Sequence, residues 1–185
     1  MRSNKQEKIL KIAAAMMSRD GFRGTSFQQI ADRAGLHKSS LFHYFKNKED
    51  LLLRILEKSI DKASADLEAI IKDPALNPEQ RLEKAILNHL TLLIRYSDNV
   101  NIYLNELRSL SKKHRATYLE KRKRYERDME NIVVQLRTKG HFEGLNTKIV
   151  TFGLLGMMNW AAKWYKRGGL LDQGEIARIF YKMVL

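Results

Sequence analysis

Residues 25–48 read TSFQQIADRAGLHKSSLFHYFKNK, two short apolar-striped runs on either side of an Ala-Gly pair. Thr25 or Ser26 can cap the first run, with Gln28 or Gln29 three residues on completing a capping box for the free amides of the first turn. Ile30, Ala31 and Ala34 supply its apolar stripe, and Gly35 permits the left-handed backbone that a sharp exit needs. The spacing predicts a second helix over 36–45. Leu41 and Phe45 face inward there, which leaves Lys38, Ser39, Ser40, His43 and part of Tyr44 outward. A basic, hydroxyl-rich helix entered through a tight turn suits phosphates and base edges, so the stretch predicts a helix-turn-helix that reads DNA.

The rest of the chain agrees in class. With 185 residues, 44% of them hydrophobic, there is enough apolar material for a packed core, and two prolines with few alternating runs make the fold all-α. Zero cysteines exclude disulfides and thiolate metal sites, and the five histidines lack the H-x-x-x-H spacing of a metal site. The start MRSNKQEKIL lacks the apolar core of a secretory signal, which predicts a cytoplasmic location. Of the formal charge of +13, residues 1–48 carry +7, from 10 Lys/Arg against 3 Asp/Glu. Such a concentrated positive patch favours nucleic acid over an acidic membrane through counterion release.

Upstream, Ile9, Ile12, Ala13, Met16 and Met17 mark one face of a helix over 6–20; Lys5, Lys8 and Lys11 on its flank are either phosphate contacts or a solvated face. Downstream, Asn47, Glu49 and Asp50 open a helix that runs to about Lys72 before Pro74. Lys48 opposes the dipole at that helix start, which points to a DNA phosphate as its partner. Asn77 and Pro78 start the next helix, whose face carries Leu82, Ile86, His89, Leu90 and Leu93. A short helix within 96–111 precedes a long polar one over 112–139, whose apolar sector holds Tyr118, Tyr125, Met129, Ile132 and Leu136. Arg115 and Arg122 fall inside that sector, where they either snorkel outward or meet an anion in a pocket.

Residues 147–166 are apolar all round, yet Asn159 and Lys163 interrupt a run already shorter than the roughly 20 residues that span a bilayer. A last helix opens at Asp172 and Glu175. Two strongly apolar closing helices predict a homodimer, which also places two recognition helices about 34 Å or a multiple apart on palindromic DNA. The expected organisation is a DNA-binding domain over 1–48 and a ligand-binding and dimerisation domain over 49–185.

The run ILKIAAAMMSRDGFRGTSFQQIADRAGLHKSSLFHYFKNKEDLL, residues 9–52, resembles the amino-terminal signature of the TetR family of bacterial transcription regulators. The carriers, in order, are a helix ending in Gly-Phe, then Thr-Ser, Ile-Ala, Ala-Gly and a closing L-F-H-Y-F-x-x-K-E-x-L. The resemblance implies a nine-helix fold with a three-helix DNA-binding head, a connecting fourth helix, and a body whose last two helices pair in a four-helix dimer interface. It also implies an effector pocket whose occupation weakens operator binding. On that basis the DNA-binding set is Thr25, Ser26, Gln28, Lys38, Ser39, Ser40, His43, Tyr44 and Lys48. His37 and Phe42 depart from the pattern, standing where a capping Ser or Thr and a phosphate-binding Tyr are usual.

LRSLSKKHR, KRKRYE and GLLGMMNWAAKWYKRGGLL further resemble the members that respond to acyl-CoA or steroid-derived CoA thioesters. A CoA thioester joins an apolar tail to a phosphate-rich head, so its site should combine apolar walls with cations. The implied ligand-binding set is Arg108, Arg115, Arg122, Tyr125, Asn159, Trp160, Lys163, Trp164 and Tyr165, with the tryptophans and Tyr165 along the tail or, alternatively, in core or dimer packing. No cofactor is expected beyond such an effector. A repressor of another hydrophobic ligand and a dimeric DNA-binding protein without effector are the alternatives. An enzyme is disfavoured, because His89 and His114 lack carboxylate partners in sequence and no Gly-rich phosphate loop follows a strand.

Overall fold

A computed structural model describes residues 2–166 and 168–185. The described residues form nine α-helices and no strand: α1 (Arg2–Gly24), α2 (Phe27–Ala34), α3 (Lys38–Phe42), α4 (Lys48–Lys72), α5 (Pro78–Arg95), α6 (Ser97–Glu106), α7 (Lys112–Arg137), α8 (Thr147–Trp164) and α9 (Gln173–Val184), with a 3-10 turn at Leu107–Ser109. The all-α fold expected from the sequence is the fold observed.

Local chemistry sets the boundaries. Ser26, rather than Thr25, caps α2, and Gln29 closes the capping box by accepting from the Ser26 amide. Gly35 ends the helix at φ 70°, while Leu36 N–H turns back to Ala31 O. Leu36 therefore belongs to the exit of α2, and α3 starts only after His37, which caps it without a side-chain bond. After Phe42, backbone bonds from Tyr44 and Phe45 to Leu41 O carry Phe45 into the interior, so the helix expected over 36–45 is half that length. Asn47 caps α4 by accepting from Asp50 N–H, and Asp50 returns the bond to Lys46 N–H. Asp172 and Glu175 repeat at α9 the reciprocal box of α2.

The chain divides into two compact units. The first comprises residues up to Ser59 together with Tyr96–Glu120. In it α1 packs on α2 and α6, α2 packs on α3, and Ile9, Met17, Ile30, Leu41, Phe45 and Leu52 are buried. Removing side chains of this size from water supplies about 1.5–3 kcal/mol each. Three polar ties fix the later segment to the earlier one. Buried Asn99 donates to Ile55 O at 2.6 Å, Asn101 donates to Ser18 O at 3.0 Å, and Glu49 accepts from Ser111 N–H at 2.8 Å and from His114 Nδ1 at 2.6 Å. The Ser111 bonds, ahead of the His114 contact, hold the Glu49 carboxyl below its usual pKa range.

The second unit comprises Ile60–Arg95 and Lys121–Leu185. Here α5 packs against α8 and α9 around buried Leu82, Ile86, Met129, Ile132, Met158 and Ile176. Arg81 of α5 donates to Gln135 of α7 at 2.8 Å and to Asp73 O at 3.1 Å, which ties the α4–α5 connection to α7.

Candidate nucleic-acid interface and effector site

The recognition surface is built from its turn upward. Gly21, at φ 75° and ψ 164°, breaks α1, and a Cβ there would lie 3.0 Å from Glu106 Oε1, so glycine suits both the backbone and the space. Buried Thr25 donates its hydroxyl back to Gly21 O at 2.9 Å. Lys48 Nζ donates to Phe22 O at 2.8 Å and to Thr25 O at 2.9 Å, and sits 4.2 Å from the centroid of the Phe22 ring. Thr25 and Lys48 thus fasten the turn between α1 and α2 from both sides.

On the frame so fixed, Ser26, Gln28, Lys38, Ser39 and His43 are exposed, and Ser40 and Tyr44 are half-buried. Gln28 donates to Asp32 at 2.7 Å. Buried Leu41 anchors α3, while exposed Phe42 packs its ring against Phe27, tilted by 50° with centroids 5.0 Å apart. The DNA-binding set therefore splits. Seven of its residues present an accessible side chain; Thr25 and Lys48 are engaged with main-chain oxygens.

In the second unit, Tyr125 of α7 and Asn159 of α8 meet through His89 of α5. His89 Nδ1 lies 2.8 Å from Tyr125 Oη, and Nε2 lies 3.3 Å from Asn159 Oδ1. Burial lowers the His89 pKa to about 4, against the Asn159 hydrogen bond and with help from the nearby Arg122 charge. Burial likewise raises the Tyr125 pKa, so the phenol keeps its proton. Sequence reading set His89 aside for want of a carboxylate. The available signal was a histidine in the middle of an otherwise apolar stripe.

A titratable group held neutral leaves a mark on stability. Unfolded His89 protonates near 6.5 and folded His89 near 4, so the contribution is complete above about pH 6.5 and is lost as pH falls from there toward 4. Thermal unfolding at pH 7 and pH 5 should show the parent losing about 1–2 kcal/mol more than His89→Gln over that interval. Equal losses would mean that His89 is solvated.

Arg122 brings its charge to the same group. Tyr165 lines an open cleft of about 630 Å³ with Leu87, Thr91, Ile94 and Arg95 of α5 and the first turn of α9. Trp160, Lys163 and Trp164 lie exposed on the outer face of α8, Trp160 at 65%. Within a single chain the tryptophans turn away from the buried side marked by Leu154, Met158 and Ala161. Arg108 and Arg115 belong to the first unit. Beside the tryptophans, Ile149 and Phe152 are exposed on α8, as are Ile179 and Met183 on α9, and nothing lies within 4 Å of a Cβ built on Gly153 or Gly156.

A capped α2, a glycine turn and a short helix with outward Lys38, Ser39 and His43 define a helix-turn-helix regulator. Residues 9–55 match the family described as "Bacterial regulatory proteins, tetR family", and residues 75–185 match "Tetracyclin repressor-like, C-terminal domain". The chain belongs to the tetR family: it is a DNA-binding transcriptional regulator and not an enzyme. It is 27% identical over 185 residues to the HTH-type transcriptional repressor KstR2 of Mycobacterium tuberculosis (strain ATCC 25618 / H37Rv), covering 99% of this chain and 92% of that one. The structure of KstR2 of Mycobacterium tuberculosis superposes with a TM-score of 0.85 at 25% identity, over 97% of this chain and 92% of that one. The crystal structure of AibR in complex with isovaleryl coenzyme A and operator DNA matches with a TM-score of 0.85 at 30% identity, over 97% of each chain. Among the described residues no helix is long and apolar enough to cross a membrane.

Proposed function

We propose that the protein is a dimeric repressor in the cytoplasm that binds a palindromic operator and is released by a CoA thioester. The observation that carries the DNA half is the outward row Lys38, Ser39, Ser40, His43 and Tyr44, held in place by buried Leu41 and Phe45. Ser26 and Gln28 add contacts beside it, and Thr25 and Lys48 serve by fixing the turn. In this reading residues 1–48 carry the DNA contacts, and 49–185 carry effector binding and dimerisation.

Two observations support the thioester. AibR, similar over nearly the whole chain, has a structure with isovaleryl coenzyme A. The Tyr125–His89–Asn159 group also provides polar anchoring where α5, α7 and α8 meet, with the Arg122 charge close by. A hydrophobic effector without CoA is the second reading, favoured by the cleft at Leu87, Ile94 and Tyr165, whose volume suits a drug-sized molecule.

The experiment is operator binding on DNA from beside the protein's own gene, with acyl-CoA thioesters, the matching free acids and CoA alone. Release requires an effector that prefers the DNA-incompetent arrangement, which tight binding alone does not ensure. Release by a thioester, but not by its acid or by CoA, is expected. Tight DNA binding that no thioester relieves would discard the effector class and keep the repressor.

A further inference from the structure

Of the large apolar side chains on α2 and α3, Phe27 is half-buried and Ile30 and Leu41 are buried, whereas Phe42 is 52% exposed. A lone exposed phenylalanine is ordinary on a protein surface. Two features set this one apart. Its ring lies against Phe27, with centroids 5.0 Å apart and planes inclined at 50°, so the aromatic pair gives it a defined place. Phe27 is in turn the first residue of α2, directly after the Ser26 capping box.

The second feature is its position on α3. Lys38 and Ser39 lie four and three residues earlier in the same helix and share its face, and a helical side chain leans back over the turn that precedes it. Both of those residues are exposed. What Lys38 and Ser39 approach, the Phe42 ring approaches too.

A phenyl ring carries no N–H or O–H donor, so a phosphate oxygen pressed against it would lose water and gain no partner. In the major groove the apolar group is the C5-methyl of thymine, which phenylalanine can meet by contact alone. A ring already packed on a neighbour also gives up little freedom when it makes that contact.

We infer that Phe42 selects a thymine–adenine pair in each half-site by packing its ring on the thymine C5-methyl, and that Phe27 is a positioning residue which holds the ring there. The inference rests on the DNA half of the reading above.

The whole chain is first used to select binding sites from random duplex DNA. On the selected site each thymine is then replaced in turn by deoxyuridine, which removes the methyl and nothing else. For the parent, one position per half-site should lose about fourfold in affinity, and about fifteenfold when both half-sites are changed. Phe42→Ala should bring that ratio to within about twofold of unity and leave the response at every other thymine as in the parent. Phe27→Leu should lower the ratio at the same position and at no other. Each ratio compares two DNAs on one protein, so a general loss of stability or affinity in a variant does not move it.

A selected site without thymine, or a parent indifferent to deoxyuridine at every thymine, would overturn the inference and leave the helix-turn-helix reading standing. A methyl response that persists in Phe42→Ala would assign that methyl to another side chain and overturn it equally. A response unaltered in Phe27→Leu would overturn the role given to Phe27. A parent that selects no sequence at all would end both the inference and the operator reading.

Discussion

Replacing Trp160 by glutamate is expected to leave a folded monomer that holds operator DNA at least about a hundredfold more weakly than the parent. Trp160 is 65% exposed, Ile149 66% and Met183 69%, and they share the outer faces of α8 and α9 with Phe152, Trp164 and Ile179. Apolar residues gathered in this way, rather than scattered singly, mark a surface meant to be covered. In a twofold interface the same patch meets itself, so one substitution buries two unpaired carboxylates. Folding within the chain should be spared, because Trp160 is 65% exposed on the side of α8 away from its buried face. Each separated head then engages its half-site alone and loses the effective concentration that linkage confers. Sedimentation and operator binding on the same sample test this. A variant that stays dimeric would show that the interface lies elsewhere.

Lys48→Met is expected to abolish operator binding on every sequence and to destabilise the first unit by about 2–3 kcal/mol. Two carbonyl oxygens, Phe22 O and Thr25 O, lose a charged donor, and the Phe22 ring loses the ammonium 4.2 Å from its centroid. The turn they anchor sets where α2 and α3 lie, so damage there reaches all DNA contacts at once. The salt dependence separates this from a lost phosphate contact. A cation that merely neutralised one phosphate would leave a folded head whose salt slope is smaller by about one. Binding restored at low salt with an unchanged melting temperature would assign Lys48 to the phosphate after all.

How much of this was legible beforehand varies with the range of the interaction. The cap at Ser26, the left-handed exit at Gly35, the box at Asp172 and the helical class all follow from neighbours within four residues, and the sequence displays those directly. The length of α3 was misread because Leu36 has the periodicity of a helical residue, while its amide is taken up by Ala31 O in the exit of α2. Lys48 looked like a cation at odds with its helix, since the main-chain oxygens it meets within the chain lie 23 and 26 residues away. The outward tilt of Trp160 was hidden by a helix apolar on every face, where periodicity gives no preference for one side. His89 needed three helices to converge before its neighbours could be seen.

The ties from Asn99 to Ile55 O, from Asn101 to Ser18 and from Glu49 to Ser111 and His114 bear on recombination. A chimera cut once, midway along α4, would carry the reading surface but leave Ser18 and Ile55 facing a stranger's α6. The portable module is discontinuous: residues up to 59 with 96–120, joined through whatever helix pair replaces the stretch between them. Gene fusions that respect that split keep the native polar partners together, and drift in operator preference can proceed on α3 without disturbing them.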